Sequence, residues 1–333
     1  RAGSARGHHG ATGTCARVGD RTEMSAAVET TDLGRNFGPR TALSGVTLSI
    51  CAGEMFGLLG PNGSGKTTLF RILSTLLAPG AGTARVGGCD VVGEAMAVRH
   101  QIGVVFQSPA LDPQLTVEEN LRWAGNLYGL RGGDLAVRAR AAAEALGISD
   151  RWADPVQTLS GGLQRRVEIA KCLLPRPRVL LLDEPSTGLD PAAREGLRVT
   201  LERVRREAEV TVVITTHLLE EAERCDRVAI LHRGRLVACG TPAELRGRSG
   251  TDVAVVSGRE PEALAARVRE IFGWPLLVRG ERLRVEVPAG GEAAGRLVST
   301  LGAAADTVTV GRPTLEDVFL DLTGEHLCGG EER

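Results

Sequence analysis

From about residue 28 onward, short apolar, β-branched runs alternate with stretches of helical period. The spacing predicts strands over 46–50, Met55–Leu59, 102–106, Val179–Asp183, 211–215 and 228–232. Several of these are apolar on both faces, as strands must be when helices cover a sheet on both sides. Helices are expected over 67–75, 163–174, 192–207 and 219–224. Such alternation specifies an α/β core built on a mainly parallel sheet. Residues 109–157 break it, being dominated by Ala, Arg, Leu and Glu, and read as a helical insertion. Thr116-Val117-Glu118-Glu119 is a capping box that starts one of its helices.

The pattern changes again after about residue 250. A strand (252–256), a helix (261–272), two short strands around the Arg279-Gly280-Glu281 turn, a helix (291–302) and a strand (307–310) follow in order. That β-α-β-β-α-β sequence matches a small α+β, ferredoxin-like unit. A short helix over 314–322 closes it. The expected organisation is an extension over 1–23, a first domain over 24–249 with its helical part at about 108–160, and an accessory domain over 250–333. The extension is rich in Gly, Ala and Arg, lacks periodicity and reads as disordered ahead of Met24.

Composition narrows the function classes. A formal charge of −1 supplies no footprint for nucleic acid. No run approaches the roughly 18 apolar residues that span a bilayer, so membrane work would fall to a partner. The seven cysteines include no CxxC pair and are scattered as in a reducing compartment. Only two lysines occur, Lys66 and Lys171, against 38 arginines, which makes Lys66 conspicuous.

Lys66 ends the run Gly60-Pro61-Asn62-Gly63-Ser64-Gly65-Lys66-Thr67, which fits G-x-x-x-x-G-K-[ST] between a strand and a helix. Glycines let such a loop wrap tightly and aim its N–H groups inward. The helix start beneath it favours anions. Lys66 can reach β- and γ-phosphates, and the Thr67 hydroxyl can ligate Mg²⁺. The apolar strand Val179–Asp183 ends in Asp183-Glu184. Asp183 would hold the metal, directly or through water. Glu184 would orient or deprotonate the attacking water, the alternative being two solvated acids at a strand end. Leu159-Ser160-Gly161-Gly162 is by itself a helix N-cap, but it lies 23 residues before Asp183.

With that spacing, residues 28–245 resemble the ABC ATPases, a P-loop NTPase family with a RecA-like core. Leu159-Ser160-Gly161-Gly162 is their signature motif, and Ser186-Thr187-Gly188-Leu189-Asp190 matches the D-loop. Gln107 matches the Q-loop, His217 the H-loop, and Phe37 falls where the family places an adenine-stacking aromatic, an apolar core position being the alternative. Leu163 departs from the Gln usual after the two glycines. The resemblance implies ATP and Mg²⁺ as ligands. It places Gly60 to Thr68, Ser160, Gly161, Gly162 and Asp190 at the nucleotide, and Glu184, His217 and Gln107 in catalysis. Thr67, Gln107 and Asp183 would hold the metal.

It further implies a head-to-tail dimer, of like or unlike copies, docked on a separate permease at the cytoplasmic face of the membrane, with no nucleic-acid partner. Pro313-Thr314-Leu315-Glu316-Asp317-Val318-Phe319-Leu320 and the segment 217–228 resemble the drug-resistance exporter branch typified by daunorubicin-resistance ATP-binding proteins. An importer ATPase and a soluble ABC ATPase of repair or translation are the rival readings.

Overall fold

The computed structural model describes residues 25–247, 251–288 and 291–325; the stretch 1–23 expected to be disordered lies outside them. The chain divides into two compact units, with the break between Thr241 and Pro242.

In the first unit, β1 (Ala26–Phe37) and β2 (Arg40–Cys51) form an antiparallel pair ahead of β3 (Met55–Leu59), α1 (Lys66–Leu73), β4 (Ala81–Val86) and β5 (Cys89–Asp90). Then come α2 (Ala95–Gln101), β6 (Ile102–Val105), α3 (Val117–Leu127), α4 (Gly132–Ala145) and α5 (Gly161–Leu173). The unit finishes with β7 (Val179–Asp183), α6 (Pro191–Glu207), β8 (Thr211–Thr216), α7 (Leu219–Ala222), β9 (Arg227–His232) and β10 (Arg235–Gly240).

Strand order in the six-stranded sheet is β6-β7-β8-β3-β9-β10, parallel except for β10, which returns antiparallel beside β9. Every residue of β3 and β7 is buried, which their unbroken apolar character requires. A separate four-stranded antiparallel sheet has the order β2-β1-β4-β5. Leu69, Phe70, Ile72 and Leu73 of α1 share one core with Val28, Leu33, Val46 and Ile50 of that sheet and with Phe56, Leu58 and Leu181 of the parallel one. Helix α1 is thus packed between two sheets, and its first residue, Lys66, is held by the core behind it.

The insertion is helical as expected. Thr116 Oγ1 accepts from Glu119 N at 3.2 Å while the Glu119 carboxylate accepts from Thr116 N at 2.8 Å, closing the capping box at the head of α3. Helices α3, α4 and α5 pack on one another. Cys172 of α5 and Cys225 are buried, and burial pushes the Cys172 thiol up to about 12 and the Cys225 thiol higher, so both remain protonated fillers of the core.

The second unit opens with α8 (Pro242–Gly247) and continues through β11 (Thr251–Ser257), α9 (Pro261–Phe272), β12 (Leu276–Arg279), β13 (Arg282–Pro288), α10 (Gly291–Leu301), β14 (Thr307–Gly311) and α11 (Leu315–Thr323). Its sheet has the order β12-β13-β11-β14 and is antiparallel throughout, the ferredoxin-like arrangement expected from the element order. Ala254, Val256, Leu283 and Val285 pack against Leu264, Val268 and Leu297 of α9 and α10. Arg284 of β13 binds Asp317 at 2.6 Å and Asp321 at 3.5 Å, which fixes α11 to the sheet. Among the described residues, no helix is long and apolar enough to cross a membrane.

Candidate active site

Strands β3, β7 and β8 run parallel and end together, so the loops after them meet at one carboxyl edge, where open α/β sheets place their ligands. The loop after β3 carries Gly60 to Thr67. Gly65 adopts φ +107°, and a Cβ there would lie 2.6 Å from the Ala42 carbonyl, so no other residue fits. Helix α1 begins immediately after it with no side chain capping its N-terminus. The first N–H groups of an uncapped helix need an outside acceptor, and an anion fits that need. The Ser64 hydroxyl is buried without a hydrogen-bond partner in the same loop. Lys66 is buried, with Nζ donating to the carbonyls of Gly60 at 2.6 Å and Pro61 at 3.1 Å. Its removal from water depresses its pKa, opposed by the nearby charges of Glu184 and Asp183. Thr67 and Asn62 stay exposed.

The acids lie opposite. Lys66 Nζ is 3.8 Å from Glu184 Oε1, and His217 Nδ1 is 3.3 Å from that same oxygen without the alignment of a hydrogen bond. Asp183, Glu184, His217 and Lys66, named from three separate sequence segments, therefore form one cluster. Burial raises the Asp183 pKa, a hydrogen bond from Thr215 lowers it again, and the charge of Glu184 adds to the rise. Glu184 has φ +45°, a left-handed conformation that a non-glycine residue holds only under constraint.

Thr215 supplies that constraint, and sequence reasoning gave it no more than a place in a strand. Its Oγ1 donates to Asp183 Oδ1 at 2.5 Å and accepts from Glu184 N at 3.0 Å, while its carbonyl accepts from Glu184 N at 3.1 Å. One hydroxyl thus holds both acids. Thr215→Val keeps the side-chain volume and removes both bonds. We expect it to lower turnover about tenfold, in line with about 1.5–3 kcal/mol for hydrogen bonds to charged groups. Steady-state turnover of the variant checks this; an unchanged rate would show that Thr215 does not position the two acids.

Gly234 was missed too. Its N–H donates to the Ser64 carbonyl at 2.9 Å, and its Cα, at φ +78°, leaves no space for a Cβ against the Ala42 carbonyl at 2.7 Å. The β9–β10 turn thereby supports the glycine loop from behind, a pairing 170 residues apart that no local pattern signals.

The remaining expected positions lie at the surface. Ser160 is exposed and caps α5, with Oγ accepting from Leu163 N at 3.4 Å. Leu163 takes part through its backbone, so its departure from Gln leaves the cap intact. Gly161 and Gly162 form the first turn of α5, with Gly162 close to Ala193. Asp190 caps α6, accepting from Ala193 N at 2.9 Å. Gln107 is exposed just after β6. Phe37 is 46% exposed at the end of β1 with Arg35 against its ring, so the core alternative is excluded.

This arrangement, an uncapped helix start beneath a glycine loop with a lysine, two acids and a histidine around it, suits phosphate binding and hydrolysis. Residues 43–187 match the ABC transporter family model. Daunorubicin resistance ATP-binding protein DrrA3 of Streptomyces coeruleorubidus is 40% identical over 297 residues, covering 87% of this chain and 94% of that protein. The chain belongs to the ABC transporter ATP-binding family. Linearmycin resistance ATP-binding protein LnrL of Bacillus subtilis is 35% identical and 98% covered, and a Nod factor export ATP-binding protein I of Paraburkholderia xenovorans is 38% identical and 98% covered. Among solved structures, cbiO1 of Clostridium perfringens, part of the cbiONQ ABC transporter complex, superposes with a TM-score of 0.63 at 28% identity, covering 74% of this chain and 96% of that one. As an ABC ATP-binding subunit, the chain binds ATP and hydrolyses it, and subunits of this family work with membrane permeases.

Proposed function

We propose that this subunit powers efflux of an apolar, antibiotic-like compound through a separate permease at the cytoplasmic face of the membrane. The observation that carries the reading is the similarity to resistance and export subunits over 87–91% of this chain. No sequence feature favours the importer or repair readings over it.

ATP is gripped on one side by Gly60–Thr68, with the exposed Phe37 ring stacking on the adenine. The donors that would hold Mg²⁺ are Thr67, Asp183 and Gln107, all oxygen ligands, as a hard cation requires. When bound, Mg²⁺ neutralises charge on the β- and γ-phosphates. Glu184 accepts the proton of the attacking water, His217 holds Glu184 and the γ-phosphate in line, and Lys66 balances charge developing on the phosphate oxygens. Ser160 and Gly162 of a second copy cover the γ-phosphate from the opposite side. The exposure of Ser160 at the start of α5 in a single copy supports this. ATP then favours a closed pair, hydrolysis removes the preference, and that difference drives the permease.

Reconstitution of the chain with its permease in lipid vesicles tests the direction and cargo class. We expect ATP outside the vesicle, on the side of this subunit, to drive an apolar antibiotic into the lumen and the antibiotic to stimulate ATPase activity. Movement of cargo the opposite way would contradict export.

A further inference from the structure

A buried ion pair lies on α5, one to two turns past Ser160, and no step above uses it. Arg165 and Glu168 have side chains 8% and 6% exposed, and Arg165 Nη1 is 2.8 Å from Glu168 Oε2. Arg165 spends its other donors on three backbone carbonyls in two different loops. Nε donates to Pro185, the residue after Glu184, at 2.9 Å. Nη1 donates to Phe106 at 2.7 Å and Nη2 to Gln107 at 3.3 Å. Glu168 Oε1 accepts from Ala110 N at 2.6 Å, and Lys171, one turn further along, donates to the Ala110 carbonyl. One face of α5 therefore holds both ends of the 106–110 segment, and the same guanidinium also holds the turn after Glu184.

Stability alone does not account for this. Well-packed apolar residues commonly replace buried ion pairs at no cost in stability. The acceptors here are the backbones of the Gln107 and Glu184 loops, both of which serve the subunit's own nucleotide. The start of the same rigid helix, Ser160, serves the nucleotide of the opposite copy. We propose that Arg165 and Glu168 are positioning residues that couple the two nucleotide sites of the dimer: when Ser160 engages phosphate at one site, α5 carries Gln107 and the Glu184 turn of the other site with it. The proposal rests on the two-copy reading above. A planar fork with five donors can join three carbonyls and a carboxylate at once, whereas the three donors of a lysine ammonium, on a shorter reach, cannot.

The test uses the full chain carrying Glu184→Gln, in which ATP-driven dimer formation is followed by light scattering. Into it are placed Arg165→Lys and, separately, Glu168→Gln, which keeps an acceptor for Ala110 N–H but removes the charge facing Arg165. We expect both to need about tenfold more ATP for half-maximal dimerisation, within the range of ordinary coupling between sites, and the steepness of the ATP dependence to fall from about two sites toward one. ADP binding by the monomer should stay within about twofold of the parent. An ATP dependence identical to the parent's would overturn the coupling. Loss of ADP binding in both variants would show that the pair serves the fold alone and would overturn it equally. A Glu184→Gln parent that stays monomeric with ATP would instead remove the two-copy reading itself, and this proposal with it.

Discussion

Glu184→Gln lowers ATP turnover by about 10²–10⁴-fold, the usual contribution of a positioned general base, while ATP binding persists. The side chain sits 3.3 Å from His217 and 3.8 Å from Lys66, on a backbone held left-handed by Thr215, so its position is set by its neighbours. Glutamine has the same shape and can keep contact with His217 and Thr187, which donates to Glu184 Oε2 at 3.2 Å. What it cannot do is take a proton from water. The expected signature is a separation of the two steps: single-turnover chemistry collapses, nucleotide affinity is retained, and the ATP-bound dimer accumulates. Phosphate release and equilibrium binding, measured on one preparation, check it. A variant hydrolysing at the parental rate would remove Glu184 from the chemistry.

Lys66→Ala acts at the earlier step. The ammonium is buried, and its protons rest on the Gly60 and Pro61 carbonyls. Truncating one partner of a buried, charge-paired contact costs about 2–5 kcal/mol, or roughly 30- to several-thousand-fold in affinity. The loss should be largest for ATP, smaller for ADP, and smallest for AMP, because in the proposed reading Lys66 reaches the outer phosphates. It also leaves Asp183 and Glu184 without their nearest cation, so part of the loss at the γ-phosphate reflects repulsion by the acids. Calorimetric titration with the three nucleotides resolves the gradient; equal losses for all three would place Lys66 elsewhere.

Much of the parallel sheet was legible because its strands are apolar on both faces. Met55–Leu59 and Val179–Asp183 fall where their pattern puts them. The first strand, Ala26–Phe37, was not foreseen. It buries one face only, its alternation is interrupted by Gly34 and by bulges against β2, and Glu29, Asp32 and Arg35 make it read as a loop. Ala81–Val86 was missed for a similar reason, since it is Gly- and Thr-containing and gains its place by pairing with β1 across 50 residues. In the ferredoxin-like unit each element carries its own period and turn, so order alone was enough to give the topology. The Lys66, Asp183, Glu184 and His217 cluster was readable because each side chain ends a strand or starts a helix at the same sheet edge. Thr215, Gly234 and Arg165 were not, because their partners are set by tertiary pairing that one sequence does not encode in its local pattern.

The central claim is that one nucleotide is covered by Gly60–Thr67 of one copy and Ser160 of another. It is tested most directly by mixing two inactive chains, one with Lys66→Ala and one with Ser160→Arg, in the presence of the permease. In a shared site the mixed pair contains one intact pocket, Lys66 from one chain and Ser160 from the other, and activity should return to as much as about a quarter of the parental rate at equal proportions, since half the pairs are mixed and half their sites are whole. A mixture no more active than its separate components would mean that Ser160 never meets the nucleotide held by its partner's loop.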